Sequence, residues 1–84
     1  MNEIDVGDTV YHRPTKENWT VALCENGRVY WCGYPFGGSG DIHDCELIEK
    51  AEEDDRIRVI KMVANTTGDQ LPILRAKELL NERD

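Results

Sequence analysis

One dipeptide constrains the fold of this chain more than any other. Asn26-Gly27 lies between two runs of β-formers, Trp19-Thr20-Val21-Ala22-Leu23-Cys24 and Arg28-Val29-Tyr30-Trp31-Cys32. Asn-Gly is the preferred pair for a type I′ turn, because both central residues need positive φ. A hairpin here is the strongest local expectation. With two turn residues, Ala22 is expected opposite Trp31, and Leu23 opposite Tyr30. Tyr30 then shares a face with Val21, Leu23 and Cys32, the set expected to form core. Trp31 shares the other with Val29, Thr20, Ala22 and Cys24, in a surface or helix-covered position.

The flanking segments extend the pattern. Val6 to Arg13 reads as a turn leading into a strand, followed by a polar loop from Pro14 to Asn18. Gly33-Tyr34-Pro35-Phe36-Gly37-Gly38-Ser39-Gly40, with four glycines and one proline in eight residues, is expected to be irregular. Ile42 and Cys45-Glu46-Leu47-Ile48-Glu49 suggest a short return strand. Four or five short strands joined by tight turns curl more readily into a small, partly open barrel than into a flat sheet.

Composition changes near residue 50. All six aromatic residues and all three cysteines precede it. Residues 1–45 hold 3 basic and 7 acidic groups, residues 46–55 hold 1 and 6, and residues 56–84 hold 6 and 4. Two helices are expected in the second half. Glu52 to Asp55 place carboxylates at the start of the first, with Arg56, Arg58 and Lys61 further on, which suits the helix dipole. Ile57, Val59, Ile60, Val63 and Ala64 fall in one band on a helical wheel. A strand is the rival over 56–64, since Ile57, Val59 and Val63 share parity, but Lys61 breaks the alternation. Asn65-Thr66-Thr67-Gly68 ends this helix. Asp69 is placed to cap a second, which tolerates Pro72 in its first turn and gathers Ile73, Ala76, Leu79 and Leu80 on one face. The expected organisation is a β unit over 1–49 and a helical extension over 50–84, packed as one compact domain. At 84 residues it buries only about 60% of its unfolded surface.

Several residues carry a resemblance. Val6-Gly7-Asp8-x-Val10-Tyr11, the Asn-Gly hairpin and Asp44-Cys45-Glu46-Leu47-Ile48 look like a small SH3-like barrel of the Tudor or KOW type. Gly7-Asp8-x-Val10-Tyr11-His12-Arg13-Pro14, Trp19-x-Val21-Ala22 and Gly33-Tyr34-Pro35 further resemble short proteins of phages and prophages. The likeness spans about residues 5–49. It implies an adaptor and specifies no ligand, since such barrels bind proteins, methylated side chains or nucleic acids.

Four chemistries compete with plain packing. Tyr11, Trp19, Tyr30, Trp31, Tyr34 and Phe36 could form a cage for a methylated ammonium, with Asp41 or Asp44 beside it; a domain this small needs most of them as core. Cys24, Cys32, His43, Cys45 and His12 are metal-ligand types, but no Cys-x-x-Cys pair is present, so neither metal nor cofactor is expected. His43 and Cys45, two apart on a strand, would share a face as a nucleophile–base pair, yet nothing supplies an orienting group, and no enzyme is expected. The acidic block Glu46 to Asp55 could mimic a nucleic-acid backbone and inhibit a host nucleic-acid-binding protein; the simpler account is a solvated linker and an acidic first turn. The Gly-rich segment lacks the Gly-Lys-Ser/Thr of a phosphate loop.

The expectation is a non-enzymatic protein-interaction module with Trp31, Tyr34 and Phe36 as contact residues and Trp19 as their neighbour. The alternative of another class is a nucleic-acid-binding barrel that stacks bases on those aromatics. A net charge of −7 makes nucleic acid a poor partner. No apolar run approaches a bilayer span, and the odd cysteine count and absence of a signal peptide point to a reducing bacterial or phage-infected cytoplasm.

Overall fold

The computed structural model describes residues 4–33 and 38–83. Five strands are followed by two helices: β1 (Thr9–His12), β2 (Glu17–Glu25), β3 (Arg28–Trp31), β4 (Ser39–Asp41), β5 (Cys45–Glu49), α1 (Glu53–Ala64) and α2 (Leu71–Arg83). All pairings are antiparallel, and the strand order is β4-β3-β2-β1-β5. The sheet is open, with β4 and β5 as its edges. No described helix is long and apolar enough to cross a membrane.

The hairpin forms at the expected place. Asn26 and Gly27 have φ of 53° and 78°, and Glu25 pairs with Arg28, Cys24 with Val29 and Leu23 with Tyr30. The register then slips, because Val21 rather than Ala22 lies opposite Trp31. Ala22 is the extra residue of a β-bulge. That slip corrects the expected division of faces. Val21 and Val29 are fully buried together, and Cys24 and Trp31 pack against the same cluster, which also holds Ile4, Val10, Trp19 and Cys45. Ala22 enters a second cluster with Val6, Ile60, Val63, Ala64, Ile73 and Ala76, and Cys32 packs against it. Trp31 therefore faces the inner cluster, and Tyr30 is only half-buried.

Two further expectations are corrected between residues 38 and 44. Ser39 and Gly40 are regular structure, pairing with Tyr30 and Val29. Ile42 belongs to a 3₁₀ turn over Ile42–Asp44, not to the return strand. The side chain of Asp41 caps that turn by accepting from the His43 N–H at 2.8 Å, a competition with strand pairing that short carboxylates commonly win. The return strand itself, β5, pairs with β1 as Val10↔Leu47 and Thr9↔Glu49, leaving Ile48 as an extra residue that is 54% exposed. A bulge flanked by Glu46 and Glu49 blunts this edge against pairing with another chain.

The helices sit where the carboxylates and apolar spacing place them. Glu53, Asp54 and Asp55 occupy the first turn of α1, and Lys61 its last. Ile60, Val63 and Ala64, at i, i+3 and i+4, are buried, which settles 56–64 as helix. Ile73 and Ala76 of α2 are buried in the same cluster, with Leu79 and Leu80 against it. Asp69 does not take the flanking position expected of it. The helix begins at Leu71, and it is the Gln70 carbonyl that accepts from Ile73 and Leu74 at 3.0 and 3.2 Å.

One side chain joins the two halves. Asp8 lies between the Val6-Gly7 turn and the start of β1, and it is 0% exposed. Its Oδ1 accepts from the Ala51 N–H at 2.9 Å and from Arg56 at 3.1 Å, and its Oδ2 from the Asp5 N–H and Lys50 Nζ, both at 2.9 Å. Burial pushes this carboxyl upward, but the bonds from Ala51, Lys50 and Asp5 and the charge of Arg56 outweigh it and hold it below the ordinary carboxylate value. Gly7 allows this approach: it has φ of 91°, and a Cβ there would lie 3.2 Å from the Arg56 backbone.

Gly27→Ala adds a Cβ that meets nothing within 4 Å, so its cost is backbone strain alone. It is expected to destabilise the protein by about 1 kcal/mol in urea unfolding, with an unchanged m-value.

Candidate functional site

Three rings run through the inner cluster. On β1, Val10 and His12 alternate to the same face; on β2, Trp19 and Val21 do so, with Val10 paired to Trp19. The His12 and Trp19 rings stack at 3.8 Å with 25° between their planes, and Trp19 meets Trp31 at 3.8 Å and 43°. His12 is 7% and Trp19 8% exposed, while Trp31 is half-buried. His12 Nδ1 lies 2.8 Å from Thr15 Oγ1, which orients the imidazole against the indole.

Glycines of β4 and the residue before it make room for these rings. A Cβ at Gly38 would stand 2.0 Å from Trp31 Cζ2, so this backbone lies directly on the benzo ring. A Cβ at Gly40 would stand 2.8 Å from His12 Nε2 and 3.3 Å from Trp19 Cη2. The Gly-rich segment is thus a requirement of close approach as well as of turning.

The structure brings two of the four expected contact residues together, Trp19 and Trp31, and buries the first. Trp31 keeps an accessible part while its ring is held by Trp19 and the Gly38 backbone. Tyr34 and Phe36 lie outside the described residues. The inclusion of His12 was not anticipated by sequence reasoning, which weighed it only as a metal-ligand type. The parity of Val10 and His12 was the available signal. Nothing local marks Asp8 as buried, since it follows a turn and does not lie within a strand.

The strand faces place Cys24 and Cys45 in the inner cluster and Cys32 against the helices. Cys45 is buried with its thiol 3.6 Å from the Asp41 carbonyl. All three are free. Burial pushes each thiol upward, Cys32 to about 11; Asp5 adds to this for Cys24 and Asp44 for Cys45. His43 is exposed on the 3₁₀ turn while Cys45 is buried, so the two do not share a face as a nucleophile and base. Among the described residues, no three His, Cys, Asp or Glu side chains gather to hold a metal ion.

The acidic block is divided by the fold into parts with different surroundings. Lys50 turns to Asp8, Asp55 pairs with Arg58 at 3.1 Å, and Glu49 and Glu52 line a groove of about 450 Å³ between β5 and α1. The groove is of mixed charge, since Lys50 and Arg58 line it with Glu49, Glu52 and Asp55.

Two measurements check this picture. Gly38→Ala and Gly40→Ala are each expected to cost about 1–3 kcal/mol in urea unfolding and to shift tryptophan emission, since rings must move to admit the methyl. A thiol reagent at pH 8 is expected to modify Cys45 in the folded protein slowly, with fast reaction only on unfolding; rapid modification mapped to Cys45 would contradict its burial.

Comparison with family models, with curated proteins and with solved structures gives no match for this chain.

Proposed function

We propose that this chain is a non-enzymatic protein-interaction module on a small SH3-like, partly open barrel, acting in a bacterial or phage-infected cytoplasm. Two observations support the barrel reading. β2 is shared, its first half pairing with β1 and its second with β3, and a 3₁₀ turn precedes the last strand. A long shared strand with a bulge at its crossing is how a short sheet coils upon itself.

The observation that carries the interaction reading is the position of Trp31. It is half-buried at the end of β3, beside the Gly-rich segment, and its ring is fixed by Trp19 and Gly38. A large ring with an accessible part and little freedom to lose suits a contact anchor. The base-stacking alternative is less well served. Stacking needs an open ring face, Trp19 is enclosed, and the β unit over 1–45 carries only Arg13, Lys16 and Arg28 as bases. Free thiols, all held protonated, accord with a reducing compartment.

Trp31→Phe tests this reading, because it preserves a ring in the cluster. Immobilised wild-type protein is expected to retain at least one protein from a bacterial lysate that the variant retains at least about tenfold less, with both melting cooperatively. Equal retention by the variant removes Trp31 from the contact face. Capture of single-stranded oligonucleotide at low salt would favour the other class.

A further inference from the structure

The two apolar clusters divide unequally between strands and helices. Ile4, Val10, Trp19, Val21, Val29 and Cys45 form the inner cluster without any helical residue. The second cluster is mostly helical, with Val6 and Ala22 as the buried side chains it takes from the β half. Polar connections between the halves gather at Asp8. Arg75 of α2 pairs with Glu25 at 2.8 Å, and everything else of this kind described above converges on Asp8 and its turn. Arg56 of α1 donates from Nη2 to Asp8 and the Ala51 carbonyl and from Nη1 to the Val6 carbonyl, with Nη1 also 3.5 Å from Asp5.

From this arrangement we infer that α1 and α2 form a detachable unit, latched to the sheet by Asp8 and hinged over residues 50–52. Opening breaks the Asp8–Arg56 contact and uncovers Val6 and Ala22, while the inner cluster stays intact because it owes nothing to the helices. Helices of 12 and 13 residues are marginal when undocked, so opening is accompanied by loss of helix. The charged groups that face Asp8 are Asp5 from its own turn, Lys50 from the linker and Arg56 from α1. The carboxylate form makes the latch. Since the folded carboxyl lies below its ordinary value, the latch is complete above the ordinary carboxylate range and is lost as pH falls through the lower folded value.

The sequence supplies separate reporters, since Trp19 and Trp31 both lie in the inner cluster and neither helix contains an aromatic residue. The full chain is titrated from pH 7 to 2, following ellipticity at 222 nm and tryptophan emission. The expected result is two transitions, with helical signal lost at higher pH than native emission. Asp8→Asn is expected to lower the helical signal already at pH 7 and to keep native emission. Arg56→Gln breaks the latch from the helix side without touching the turn, and decides the matter should Asp8→Asn fail to fold: it is expected to separate the probes in the same order at neutral pH. Superimposed transitions in the wild type and in Arg56→Gln overturn the inference, because the molecule then unfolds as one unit.

Discussion

A single buried carboxylate determines how this molecule is assembled. Asp8 lies inside the protein with four donors around it, and two of them, Lys50 and Arg56, are cations. Burying that charge without partners would cost far more than a domain of this size has to spare. With partners it fixes the turn before β1, the chain leaving β5 and the first turns of α1 in one geometry. Breaking a largely buried pair such as Asp8–Arg56 typically costs about 3–5 kcal/mol, because the other charge is left uncompensated.

The remaining architecture follows from two packing problems solved separately. Alternation along the strands sends Val10, Trp19, Val21 and Val29 to one cluster, and the bulge at Ala22 sends the next residue to the other. The inner cluster is rich in rings and is closed by glycine backbone, so its shape depends on what Gly38 and Gly40 lack. The outer cluster is aliphatic and is closed by i, i+3 and i+4 positions of two helices. This division lets a chain of 84 residues carry both an aromatic face and a helical cover.

Much of the framework was legible in local signals. Asn26-Gly27 needed only the steric preference of positive φ to announce the hairpin, and Glu53 to Asp55 with Ile60, Val63 and Ala64 announced α1. The errors arose where a neighbour distant in sequence intervened. Nothing local marks Ala22 as a bulge, and that one-residue slip moved Trp31 from an expected cover position into contact with Trp19. Gly40 read as irregular because glycine is a poor strand former, yet His12 and Trp19 require it there. Gln70 displaced Asp69 beside α2 because the backbone enters the helix one residue later than the capping preference suggested. The contact of Trp19 with Trp31 followed from the bulge, and their partnership with His12 depended on a β1–β2 register that sequence did not fix.

The sequence by itself determined the order of elements, the hairpin, the helix faces and the uneven charge, because each rests on steric preference or spacing within a few residues. Tertiary structure alone decided which strand face became the inner cluster and that Lys50 reaches the buried Asp8. It also decided that Asp8 joins the halves. These outcomes depend on contacts across some 40 residues, where the exclusion of water makes one register and one set of charge partners strongly preferred to the rest.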